Sequence, residues 1–284
     1  MSDDPFLAHR PLLFTIAYEL LGSAADAEDV VQESWLRWAG ADQAQVGEPR
    51  AYLVRTVTRQ ALNRLRTESR RREVYVGEWL PEPLLTAPDV ADDVELAESV
   101  SLALLVVLET LGPTERAVFV LREVFQLSFG EIADAVGKPV PTVRQIAHRA
   151  RTHVAARQPR VPVSRTEHEA VVEQFLAALR SGRPEQLLGL LAPDVVLIAD
   201  GGASATAAPA PVRGAELVAS LLARPNRVVS LTWLNGSAAI RVDSDRQPAV
   251  VSVTVQRGRI SRIYAIANPD KLTRLTAPVP LARG

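Results

Sequence analysis

Thr142, Arg144, Gln145, His148, Arg149 and Arg151 fall on one side of a short helical pattern near the middle of the chain. Arg and Gln in that setting can read base edges in a DNA groove, and further Arg can hold phosphates. The same stretch supplies what would position them. Ser128 and Glu131 have the S-x-x-E spacing of a capping box, followed by Ile132, Ala133 and Val136 at helical spacing. Gly137 suits a left-handed helix end, and Pro139 and Pro141 stop propagation before a second helix opens at Pro141 or Thr142. Val143, Ile146, Ala147, Ala150 and Val154 make the buried stripe of that second helix. Ala133, Gly137 and Val143 keep helix-turn-helix spacing. An ordinary helix hairpin with a solvated Arg face would share it, and the preceding residues favour the DNA reading.

Charge is segregated, although the net charge of 284 residues is only −1. Residues 1–40 carry two Arg against seven acids, 41–76 eight Arg against four, 77–112 eight acids and no base, and 113–160 eight bases against four acids. Two basic segments around an acidic one imply two DNA-contacting modules and a linker. Without cysteine there is no thiolate metal site or disulfide, and no histidine pair has zinc-site spacing beside a third ligand. The acidic MSDDPFLAHR start is unlike a signal peptide, and Leu102–Leu108 is too short to span a bilayer, so a cytoplasmic protein is expected.

Three helices are predicted before the linker: 6–21, one capped by Ser23 and running to Trp38, and about 50–73. The run Asp26–Trp38, DAEDVVQESWLRW, resembles the region 2 signature of the extracytoplasmic-function (ECF) sigma factors of bacterial RNA polymerase. Arg50–Arg55 with Ala61–Arg66 resembles their promoter-reading helix, and the helix-turn-helix with its HRAR ending at 148–151 is similar to region 4. Together these cover about 1–155. The resemblance implies docking on core RNA polymerase through Asp26, Glu28, Asp29, Gln32, Glu33, Trp35, Arg37 and Trp38, although both tryptophans have an alternative reading as core. It implies contact with the −10 element through Arg55, Arg59, Asn63, Arg64, Arg66, Arg70 and Arg71, and with −35 through the face at 142–151. Family members commonly have Asn and Asp where this chain has Arg59 and Asn63, so their −10 sequence does not carry over.

The linker contains Trp79, Leu80, Pro81, Glu82 and Pro83, a WLPEP motif similar to that of an ECF subgroup with a C-terminal SnoaL-like domain. A tryptophan there needs something to pack on. From residue 166 the pattern changes to helices at 166–181, 184–192 and 215–223, with strands at 195–199, 228–234, 238–242, 249–256 and 260–267. Asn235-Gly236 and Arg257-Gly258 suit hairpin turns. Helices followed by a curved antiparallel sheet resemble the SnoaL-like cone. Asn268, Pro269, Asp270, Lys271 and Leu272 match the NPDKL tail motif of the same subgroup, while the segment from Asp200 to Ser204 departs from its D-G-G-G-K pattern. The expected fold is therefore multidomain: two all-α sigma domains (1–75 and 99–158), linkers at 76–98 and 159–165, and an α+β SnoaL-like domain at 166–284.

Asp200 is the one good acid/base candidate of that domain and His168 its one histidine, with no convergent catalytic set around them. The reading is a sigma factor and not an enzyme, with no cofactor. Its partners are core polymerase and promoter DNA, with a possible small-molecule ligand in the C-terminal domain. The WLPEP motif, Asp200 and the NPDKL motif would regulate the arrangement of the sigma domains. The alternative is a helix-turn-helix regulator with a ligand-sensing SnoaL-like domain.

Overall fold

Asp4 begins the first helix by accepting a hydrogen bond from the Phe6 amide at 2.9 Å. α1 (Pro5–Leu21) ends at Gly22, whose φ of 66° lies in the left-handed region. The computed structural model describes residues 4–72, 77–157, 163–202, 210–223, 228–244 and 248–283, without the side chains of 68–72 and 91–92. Ser23 caps α2 (Ala24–Ala39), accepting from the Asp26 amide, and α3 (Pro49–Arg72) completes the first lobe. α1 is buried from Leu12 to Leu21 on nearly every side, beyond the single stripe its spacing suggests, because helices of both lobes surround it. Leu7, near its start, is exposed.

The second lobe is built of short helices: α4 (Val94–Val100), α5 (Leu102–Leu108), α6 (Pro113–Phe119), α7 (Phe129–Val136) and α8 (Val140–Ala155). α6 continues through a π-helical turn at Val120–Val124. Both halves of the capping box form: the Glu131 amide donates to Ser128 Oγ and the Ser128 amide donates to Glu131 Oε2. Gly137 then closes α7 with φ 68°, donating its amide to Ala133 O at 2.9 Å. The two lobes share one hydrophobic core, in which Leu13, Leu53 and Val57 join Leu121, Ile132 and Val143. α3 packs directly on α6 and α7.

The C-terminal domain runs α9 (Arg165–Ser181), α10 (Pro184–Leu190), β1 (Leu191–Asp200), β2 (Val212–Arg213), α11 (Ala215–Leu222), β3 (Val228–Leu234), β4 (Ser237–Asp243), β5 (Ala249–Gln256), β6 (Arg259–Ile266) and α12 (Pro269–Leu272). Its strands form one sheet in the order β2-β1-β6-β5-β4-β3. This is the α+β cone, with one correction: β1 pairs parallel with β6, with Ile198 opposite Tyr264, so the sheet is mixed and not wholly antiparallel. Parallel neighbours need a long crossover, and everything between β1 and β6 supplies it. Both expected hairpin turns form, with Asn235, Gly236, Arg257 and Gly258 all at positive φ.

Strand alternation gives the sheet two apolar faces. Val251, Val253 and Ile263 pack beneath α9–α11. Val250, Tyr264 and Ile266 face the opposite way and meet Leu80 of the linker and Leu102 of α5. The linker also extends the sheet, because Leu85 forms an antiparallel bridge with Leu234 of edge strand β3. The segment read as a linker at 76–98 thus contains packed structure among its described residues, including the first turn of α4.

Candidate nucleic-acid interface and the latch between the domains

The buried stripe of α8 is Val143, Ile146, Ala147, Ala150 and Val154, so its other face is presented outward. Arg144, Gln145, His148 and Arg149 are exposed there, with Thr142 half-buried beside them. Arg144 lies 5.5 Å from the Phe129 ring centre, a cation–π contact that orients its guanidinium from the adjacent helix. Arg151 also lies on this surface, joined to Glu123 at 2.7 Å.

The two basic and acidic faces of the first lobe behave differently. Arg64 donates to Asp26 and Asp29, each at 2.8 Å, which clasps α3 to α2. Its guanidinium is therefore turned toward its own fold, where it pairs with the acidic helix α2. Opposite charges on neighbouring helices favour that pairing. Arg59 donates to the Asp134 carbonyl of α7 at 2.7 Å, bridging the lobes. Arg55 stacks on Tyr52, while Asn63 and Arg66 are exposed. The side chains of Arg70 and Arg71 lie outside the described residues.

On α2, Gln32, Glu33, Trp35 and Arg37 are exposed, Asp29 is half-open, and Glu28 pairs with Arg10. Trp38 is 1% exposed, donates its indole N–H to Asp4 at 3.1 Å and packs on Tyr52. It is a core residue, which corrects its assignment to a docking surface. Trp35, 43% exposed, and Leu36, 59% exposed, form the apolar part of that face instead.

The linker motif lies at the centre of a buried polar junction. Trp79 packs on Gly22, where an added Cβ would come within 3.0 Å of its ring. Lys271 Nζ sits 4.2 Å from the centre of the Trp79 ring, donates to the Leu80 carbonyl and forms a 2.6 Å ion pair with Asp200. Asp200 is fully buried and accepts in addition from the amides of Leu80 and Gly202. Its carboxylate is committed to this junction. Gly202 is required here, because a Cβ would stand 2.8 Å from Asn268. Asn268 in turn caps α12 through the Asp270 amide. Residues 203 and 204, the departing part of the Asp200 segment, lie outside the described residues, as do 73–76 and 158–162 of the two linkers.

Glu82 ties the linker to the first lobe. Its Oε2 accepts from the amides of Ala24 and Ala25 and from Ser23 Oγ, placing a carboxylate at the N-terminus of α2. Its own carbonyl accepts from Tyr18 Oη at 2.7 Å. Asn235, at the β3–β4 turn, joins all three parts: Oδ1 accepts from the Leu84 amide, and Nδ2 donates to Tyr18 Oη and to Val100 O. The residues that sequence reasoning missed are Tyr18 and Asn235. The Asn-Gly pair signalled a turn, but nothing in its spacing marks a contact 217 residues away.

Next to this junction, Glu19 is completely buried. One carboxyl oxygen accepts from Ser99 Oγ at 2.8 Å, and the other has no hydrogen-bond partner. Burial pushes its pKa up to about 8. Arg116, 1% exposed, donates to the Glu19 carbonyl and pairs with Glu109. Burial likewise raises the Tyr18 hydroxyl, and lowers His168, whose ring lies 3.2 Å from Val253 O.

Comparison with known proteins agrees with this architecture. Residues 6–71 match the family described as Sigma-70 region 2, and 101–154 the family described as Sigma-70, region 4. The ECF RNA polymerase sigma factor SigJ of Mycobacterium tuberculosis is 37% identical, over 96% of this chain and 94% of that protein. The probable ECF RNA polymerase sigma factor SigI of the same species is 32% identical, over 95% and 94%. The crystal structure of M. tuberculosis SigJ superimposes with a TM-score of 0.76 at 34% identity, covering 95% of this chain and 98% of that one.

Proposed function

The chain belongs to the extracytoplasmic-function family of RNA polymerase sigma factors, and from that premise we propose how its surfaces divide the work. Core polymerase takes the face of α2 bearing Asp29, Glu33, Trp35 and Leu36, an acidic surface with an aromatic anchor. α8 enters the major groove of the −35 element, with Arg144 and Gln145 on base edges and Arg149 on phosphate. The exposed part of α3, including Asn63 and Arg66, takes the −10 element. The observation that carries this reading is the exposed polar face of α8, which follows a helix, α7, capped at both ends.

The packing of the lobes adds a constraint. α3 and α8 both pack on α7. Packed helices sit about 8–10 Å apart, so these two lie within about 20 Å of each other. Promoter elements centred about 25 base pairs apart stand roughly 85 Å apart along the duplex. The compact arrangement cannot engage both, so initiation requires the lobes to separate. The C-terminal domain, joined to both lobes through Asn235 and to the linker through Lys271 and Asp200, favours the compact form and thereby modulates activity.

Run-off transcription with core polymerase freed of its own sigma factor tests this. Full-length protein, the Lys271→Ala variant and a chain ending at residue 163 would be compared on a genomic promoter library. Promoter-specific transcripts are expected from the full-length protein, with higher output from Lys271→Ala. Binding of a −35 duplex without any polymerase-dependent transcript would favour a DNA-binding regulator instead.

A further inference from the structure

After α12 the chain turns back from the C-terminal domain and lies across the helical half. Pro278 and Pro280 alternate with Val279 and Leu281, and the alternation is expressed in burial: both prolines are exposed, and both aliphatic residues are half-buried. Proline favours an extended backbone, so this segment presents every second side chain to the surface beneath it. Val279, Leu281 and Ala282 pack against the shared core of the two lobes.

Three polar contacts fix its register. The Val279 amide donates to Leu85 O at 2.9 Å, and the Ala282 amide donates to Thr15 Oγ1 at 3.1 Å. Arg283 pairs with Glu95 and lies 3.9 Å from Asp93. Thr15 belongs to α1 of the first lobe, Leu85 to the linker, and Asp93 and Glu95 to the start of α4 in the second. The acidic stretch from 77 to 112 contains no base of its own, and Arg283 brings one to it.

We infer that residues 278–283 are a releasable clasp, an internal peptide ligand whose groove exists only while the two lobes are together. Its contacts span Thr15 and Glu95, so lobe separation must break one side or the other. A ligand that binds one of two states shifts the balance toward it by its differential affinity. The tether supplies an effective concentration on the order of millimolar, so a weak peptide suffices. The segment is only half-buried and is held by few polar contacts, so it is readily displaced from the closed form. The clasp concerns the closed form described for the sigma reading, but its physical test needs neither polymerase nor DNA.

The absence of cysteine makes a distance measurement direct. Spin labels at Ala39→Cys and Thr152→Cys, both exposed and one on each lobe, would report the separation by pulsed electron resonance in the full chain. Truncation after Ala277 is expected to raise the long-distance population about tenfold, and Thr15→Val about threefold, the effect of removing one hydrogen-bond acceptor. A synthetic peptide of residues 276–284 at millimolar concentration should restore the short distance in the truncated chain. If the truncated chain fails to fold, as read by circular dichroism, the Thr15→Val measurement decides. Unchanged distance distributions in the folded variants would overturn the clasp. An absence of transcription alongside shifted distances would instead overturn the sigma reading and leave the clasp standing.

Discussion

α3 and α8 are both Arg-bearing helices, yet the fold treats them in opposite ways. On α8 the buried residues form one stripe, and Arg144, Gln145, His148 and Arg149 all reach solvent. On α3 the guanidiniums of Arg64 and Arg59 are bonded to α2 and to α7. One helix is ready for a partner while the other is partly occupied by its own protein. The difference comes from position. α3 lies between α2, the acidic helix of its own lobe, and α7 of the next, where carboxylates and an open carbonyl compete with any external partner. The outer face of α8 stays open, with Arg144, Gln145, His148 and Arg149 all exposed.

The sharpest way to break the contrast is at the junction with the C-terminal domain. Lys271→Met would leave the buried Asp200 carboxylate without its cation, a change that costs on the order of 3–5 kcal/mol. The loss would be read as a lower denaturation midpoint. Binding of single-stranded −10 DNA should rise as the lobes loosen, with −35 duplex binding unchanged. Equal changes at both elements would remove the asymmetry between the helices.

Glu19 tests whether the lobes separate through the same core. Its carboxyl ionises near the ordinary 4.5 when unfolded but near 8 in the native state. Between those values the folded chain holds a proton that the unfolded chain has lost. Stability therefore falls as pH rises through this window and levels off above it. Glu19→Gln should flatten the slope of the unfolding free energy between pH 5 and 7.5 by up to one proton, measured by denaturant titration at successive pH values.

The free face of α8 yields a different signature. Arg144→Ala or Gln145→Ala should each cost about 1–3 kcal/mol in discrimination of the −35 sequence. Stability should stay within about 0.5 kcal/mol for Gln145→Ala, an exposed side chain, and fall by up to about 1 kcal/mol for Arg144→Ala, which also loses the cation–π contact with Phe129. Fluorescence anisotropy against specific and scrambled duplexes checks the first, and thermal unfolding the second. The smallest effect is expected from Arg59→Ala, which removes one partly solvated hydrogen bond to α7, worth about 1 kcal/mol or less. Its readout is faster hydrogen exchange at the α7 amides, with no change at α1.

Local structure was legible because its signals are local. Ser128, Glu131 and Gly137 carry the caps of α7 in their own chemistry, and the alternation of apolar residues gives β3 to β6 with their two turns. The stripe at Val143–Val154 also determines which face of α8 must be polar. Where a residue has two uses, the sequence leaves the choice open. Trp35 and Trp38 are three positions apart on one helix, and only the packing of α1 and α3 buries one and leaves the other in solvent. Likewise, the parallel pairing of β1 with β6 follows from where a long crossover returns, which no turn signal encodes.

The sequence by itself determined most of the helices and strands, though not α4, β2 or α12, because caps, turns and periodicity act over a few residues. It also marked Trp79–Pro83 as needing a surface, since two prolines hold the chain extended and an indole cannot be left in water without loss. Tertiary structure alone decided what that surface is. Asp200, Asn235 and Lys271 reach the linker from points far along the chain, and each holds its place because a buried carboxylate, amide or ammonium must find partners. That requirement says a partner exists, and only the closed fold says which.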